Sequence, residues 1–91
     1  MTTLLIPSVL RTETGGAARV EVEGQTVGAA IEALVDRHPG LRGRLLAADG
    51  GLHRFVNLYL NGEDVRYLAG LDTRVGDGDE VRLLPAIAGG A

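Results

Sequence analysis

Cysteine and lysine are both absent from this 91-residue chain, whose nine basic residues are all arginine. Without cysteine there is no disulfide, no thiolate metal site, no iron–sulfur cluster and no nucleophilic thiol. Tryptophan is missing, phenylalanine occurs once, and Ser8 is the only serine, with no glycine elbow around it. A serine triad is therefore excluded. No run approaches the ~20 apolar residues that span a bilayer, and the first residues lack the basic-then-apolar order of a signal peptide. No membrane association and a cytoplasmic location are expected. A net charge of −3 with no basic cluster lacks the footprint that a phosphate backbone requires, so no nucleic-acid partner is expected.

What is present suits one small core. Apolar residues make up 45% of the chain and the charges are dispersed, a balance that favours folding over disorder. Thr3 to Leu10 and Ala18 to Glu23 read as strands, joined through Gly15-Gly16 in hairpin fashion, with Pro7 marking a bulge or unpaired position in the first. From Val27 to about His38 the apolar residues Val27, Ala30, Ile31, Leu34 and Val35 fall on one helical stripe. Thr26 is placed to cap that helix, and Pro39-Gly40 to stop it. Leu41 to Gly51 reads as a loop or short helical turn.

Phe55 to Leu60 reads as a third strand, Asn61-Gly62 as a two-residue turn, Glu63 to Arg66 as a short returning strand, and Glu80 to Leu84 as the last strand, ended by Pro85. The order is strand, strand, helix, strand, short strand, strand. It predicts an α+β fold: a mixed sheet of about four to five strands with one main helix on one face. Residues 1–85 form the domain and residues 86–91 a flexible tail of small residues.

The tail is the first candidate for chemistry. Gly89-Gly90 offers a carbonyl that no side chain flanks, and such a segment can thread a narrow channel where a Cβ would collide. A frayed terminus is the competing reading. His38 and His53 lack metal-binding spacing and read as a helix C-terminal residue and a residue at the start of a strand. Gly76 to Glu80 has the look of a phosphate loop, but it carries three acids and precedes a strand, so it reads as a solvated turn. On the third strand, either Phe55, Asn57 and Tyr59 or Val56, Leu58 and Leu60 must cover the helix. The other set becomes a candidate docking patch.

The segments Leu52 to Arg66 (LHRFVNLYLNGEDVR) and Leu83 to Gly90 (LLPAIAGG) resemble the ThiS/MoaD sulfur-carrier family, especially its cysteine-biosynthesis branch, over nearly the whole chain. The resemblance implies a ubiquitin-like β-grasp fold and a carrier with no catalytic residues, no bound cofactor and no metal. It implies that an E1-like adenylating enzyme uses ATP to activate the Gly90 carboxylate, and that sulfur then displaces AMP to give a thiocarboxylate. Ala88 and Gly89 would thread the activating enzyme, with Phe55, Tyr59, Leu84, Pro85 and Ile87 as partner-binding residues. The sulfur would pass to an accepting enzyme, cysteine synthase-like or another thiolating enzyme, and a metalloprotease would release the product. Molybdopterin, thiamin and thio-natural-product pathways stay open beside cysteine formation.

Family members act with the second glycine terminal, whereas here Ala91 follows Gly90. Processing at Ala91 is expected, unless that residue is foreign to the natural chain. Missing lysine and cysteine suit such a carrier, since its own side chains offer no amine or thiol to capture the activated tail. A ubiquitin-like modifier attached through Gly90 and a noncatalytic β-grasp interaction module are the alternatives.

Overall fold

A computed structural model describes residues 1–48, 51–53 and 56–85. Five strands form one mixed sheet: β1 (Thr2–Leu5), β2 (Arg19–Val22), β3 (Val56–Leu60), β4 (Glu63–Asp64) and β5 (Glu80–Pro85). Their spatial order is β2-β1-β5-β3-β4. β5 lies in the centre, parallel to β1 (Leu4 opposite Val81) and antiparallel to β3 (Leu58 opposite Leu83). The expected two-layer α+β architecture is the one observed.

Helix α1 (Val27–Arg37) covers one face of the sheet. Its five stripe residues, Val27, Ala30, Ile31, Leu34 and Val35, are all buried, as the spacing requires. The Thr26 hydroxyl accepts from the Ala29 N–H at 3.1 Å, satisfying one of the orphan donors of the first turn. The last turn closes with the His38 N–H on the Leu34 carbonyl, and Pro39 follows. Leu4, Val20, Val22, Val56, Leu58, Val81 and Leu83 meet the helix from the inward positions of the strands. The 3-10 turn Pro39–Leu41 adds Leu41 to the same core, and helix α2 (Arg42–Leu45) adds Leu45.

Three expectations change. The first strand stops at Leu5, because Pro7 starts a 3-10 segment, Ser8–Thr14, instead of interrupting a longer strand. Ile6, Leu10 and Thr14 are buried at helical spacing, a pattern hidden inside an aliphatic run. β1 and β2 do pair antiparallel, but through this segment and not through a tight hairpin. The returning strand after Asn61-Gly62 holds only Glu63 and Asp64. The Asp64 carboxylate accepts from the Arg66 N–H at 2.9 Å and turns Val65–Tyr67 into a 3-10 segment. The Asn61-Gly62 turn itself is as expected, with φ of 50° and 92°.

Candidate functional site

Period-2 alternation in β5 sends Val81 and Leu83 into the core and leaves Arg82 and Leu84 on the face away from the helix. β3 behaves likewise: Val56 and Leu58 are buried, and Asn57 and Tyr59 are half-exposed on that same outer face. The question of which set covers the helix is thus answered, with Leu60 partly buried against the core.

Register brings the outer side chains together. Arg82 lies between Leu5 of β1 and Tyr59 of β3, and Leu84 lies opposite Asn57. Pro85 is the last residue of β5, opposite Val56. Of the sequence-derived partner-binding residues, Tyr59 and Leu84 therefore share one surface, and Leu84 is 39% exposed. Phe55 and Ile87 lie outside the described residues, as do Ala88, Gly89, Gly90 and Ala91. β5 ends at Pro85, five residues before Gly90 in the sequence.

Beside Leu84 runs an open groove of ≈ 400 Å³ whose lining includes Leu5, Arg11, Arg19, Glu80 and Arg82. Arg19 is ion-paired with Glu80 across the sheet. Arg11 reaches back from the 3-10 segment, its Nε donating to the Ile6 carbonyl at 3.0 Å. Sequence reasoning missed this cluster. Alternation alone puts Arg19 and Arg82 on the outer face, but the position of Arg11 depends on the 3-10 segment Ser8–Thr14, which begins inside the expected strand Thr3 to Leu10 and runs past its end.

At the far edge of the sheet Asp64, opposite Tyr59, is 8% exposed. Arg66 donates to its carboxylate through Nε at 3.4 Å and Nη2 at 3.1 Å. Those bonds, with the Arg66 backbone N–H, hold the Asp64 carboxyl below its ordinary value. His38 caps α1 and His53 precedes β3, on separate elements. The Gly76–Asp79 turn uses an acid internally, since the Gly76 N–H donates to Asp79 Oδ2 at 2.9 Å.

One main helix on a five-stranded mixed sheet, with the parallel pair β1 and β5 in its interior and antiparallel strands on either side, defines the ubiquitin-like β-grasp class. The chain belongs to the ThiS family, whose sequence profile matches residues 4–90. It is 49% identical over 90 residues to the sulfur carrier protein CysO of Mycobacterium tuberculosis, covering 97% of both chains. A crystal structure of that CysO superposes with a TM-score of 0.86, covering 96% of this chain and 100% of the other. A chain of the crystallised BexX/CysO complex of Amycolatopsis orientalis is 46% identical, with a TM-score of 0.89 and coverage of 96% and 97%. Small archaeal modifier protein 1 of Haloferax volcanii is 42% identical over 73 residues, 79% of each chain.

Proposed function

We propose that this chain is a sulfur carrier protein whose Gly90 carboxylate becomes a thiocarboxylate after removal of Ala91. An E1-like enzyme joins that carboxylate to the α-phosphorus of ATP, releasing pyrophosphate. A sulfide-level sulfur then attacks the acyl carbon and expels AMP. The thiocarboxylate donates sulfur in biosynthesis, with cysteine formation the first choice and a cysteine synthase-like enzyme as acceptor. A metalloprotease releases the product, and either it or another peptidase trims Ala91. ATP belongs to the activating enzyme, and the carrier contributes no catalytic side chain.

The observation that carries this reading is the near-full-length match to CysO combined with the position of Leu84 and Pro85 at the end of the central strand. A rigid sheet ending five residues before Gly90 fixes the origin of the reactive segment, while Ala88 and Gly89 add almost no bulk along it. Intact mass spectrometry tests it. The form ending at Gly90, incubated with an E1-like enzyme, ATP and sulfide, gains the mass of sulfur replacing oxygen. Thiocarboxylated material that retains Ala91 contradicts the processing step, and no gain with either form contradicts the reading.

The likeness to small archaeal modifier protein 1 supports a second reading, attachment of Gly90 to amines of other proteins. High-mass conjugates carrying this chain, resistant to reductant and found in cells, would favour it.

A further inference from the structure

β2 is a border strand of the sheet, with β1 as its one neighbour. The Ile6 N–H donates to the Ala18 carbonyl at 2.8 Å, which sets the antiparallel alternation. Val20 and Val22 turn their backbone groups to β1, and Arg19 and Glu21 turn theirs to the open edge. One of those four outward groups is taken, the Glu21 carbonyl, which accepts from Arg37 Nη1 at 3.0 Å. The Glu21 N–H and both backbone groups of Arg19 meet no turn or side chain among the described residues. On the side-chain level the strand alternates too: Val20 and Val22 are buried, and Arg19 and Glu21 are exposed on the outer face. Glu21 enters no ion pair among the described residues, and Arg19 takes only Glu80.

We infer that this edge docks a second copy of the chain, β2 against β2, about a two-fold axis at Val20. In that register Arg19 of each copy lies opposite Glu21 of the other. The outward backbone groups of the two residues exchange hydrogen bonds, and the side chains close two opposite-charge pairs above them. Sliding one copy by two residues sets Arg19 against Arg19 or Glu21 against Glu21. Sliding it by one turns the buried valines to the outer face. The centre of the strand is thus complementary to itself in a single register, as a two-fold contact requires. A uniformly acidic or basic peptide would meet one of the two charges and be repelled by the other, which favours a second copy as the occupant. Arg37 sets the threshold, because it holds one of the two carbonyls that each copy must offer. Four strand residues bury far less than the about 1,200 Å² of a standard interface, so the dimer is weak and concentration-dependent. β1 separates β2 from β5, so the contact does not reach Leu84 or Pro85 and stands apart from the carrier reading.

Sedimentation over a concentration series up to about a millimolar, the range of a weak contact, tests the inference. Arg37→Ala should dimerise about tenfold or more tightly than wild type. In that background Glu21→Arg opposes like charges twice and should abolish the dimer, as should Arg19→Glu. Mixing those two reversed proteins restores complementarity and should yield heterodimers of one with the other. Glu63→Arg, on the exposed border strand β4 at the far side of the sheet, should change nothing. Thermal melts verify folding of each variant, and Glu21→Gln, which removes one charge without reversal, keeps the test readable if a reversal unfolds. Amide exchange supplies an independent readout: in Arg37→Ala the Arg19 and Glu21 amides should slow with concentration, while Val20, already bonded to β1, should not. Monomers throughout the series in both wild type and Arg37→Ala, the result if the edge serves only extended peptides of other proteins, overturn the inference. So do dimers that survive Glu21→Arg, that are lost in Glu63→Arg, or that leave the Glu21 amide unprotected.

Discussion

The side-chain amide of Asn61 donates to the carboxylate of Asp79 at 3.1 Å, joining two turns eighteen residues apart. The same amide accepts from the Glu80 N–H through Oδ1 at 3.0 Å, and the Asn61 backbone N–H donates to the Glu80 carbonyl at 2.8 Å. Asn61 thus stitches the β3–β4 turn to the start of the tail-bearing strand. Asn61→Ala removes both side-chain bonds and puts a less tolerant residue at φ 50°, which should cost about 1–3 kcal/mol in urea denaturation. Amide exchange at Glu80 should accelerate with it, and unchanged stability and exchange would show the clasp to be ornamental.

Asp64 supplies a prediction in pH. Its carboxyl lies below the ordinary value of 3.8 because of the side-chain and backbone donors of Arg66. A lowered folded value means the unfolded chain binds the proton more readily. The contribution is therefore fully present above 3.8 and is lost as pH falls through the folded value. Asp64→Asn should be less stable than wild type near neutrality, and the difference should shrink below 3.8. Paired melts across that range measure it, and a gap that widens on acidification refutes it.

Leu83 is fully buried in the central strand, one residue before the exposed Leu84. Leu83→Ala should destabilise by about 2–5 kcal/mol through lost burial and the cavity left behind. Leu84→Ala should change stability by no more than about 0.5 kcal/mol. Chemical denaturation of the pair separates the core role of β5 from its surface role, and equal losses would contradict the assigned alternation.

At the other border of the sheet, Thr3 lies opposite Glu21 but turns its N–H away, to the Asp79 carbonyl at 3.0 Å. The Glu21 carbonyl consequently faces the open edge of β2, where Arg37 Nη1 at the end of α1 donates to it at 3.0 Å. An uncovered edge invites pairing with another chain. Arg37→Ala should leave global stability within about 0.5 kcal/mol while sedimentation shows concentration-dependent association. A variant that stays monomeric at high concentration refutes the guard.

Ser8 is exposed three residues beyond Leu5, the last residue of β1, which pairs with Arg82 of β5. If side chains free of amines and thiols protect the activated tail, Ser8→Lys should form amide-linked adducts under ATP-dependent activation. Wild type should form none, and a clean mass spectrum for the variant would remove the argument.

Legibility in the sequence followed the range of the forces involved. The α1 stripe, its Thr26 cap and the Asn61-Gly62 turn were readable because each depends on neighbours within a few residues. The face choice in β3 is open in the sequence, since Val56, Leu58 and Leu60 on one side and Phe55 and Tyr59, flanking Asn57, on the other both offer apolar side chains, and only the pairing with β5 breaks the tie. The segment after Pro7 was misread because Ile6, Pro7, Val9 and Leu10 carry no polar alternation to separate strand from helical spacing. The arginine groove was invisible for a different reason: Arg82 lies far along the chain from Arg11 and Arg19, and they meet only once β1 and β5 run side by side.

The central position of β5 has a mechanical consequence. A partner that draws on the residues after Pro85 pulls along the strand axis, and the hydrogen bonds to β1 on one side and β3 on the other are then loaded in shear, all at once. A strand at the border would share that load with a single neighbour. Two ladders, to β1 and to β3, therefore resist a pull on the residues after Pro85 where a border strand would have one.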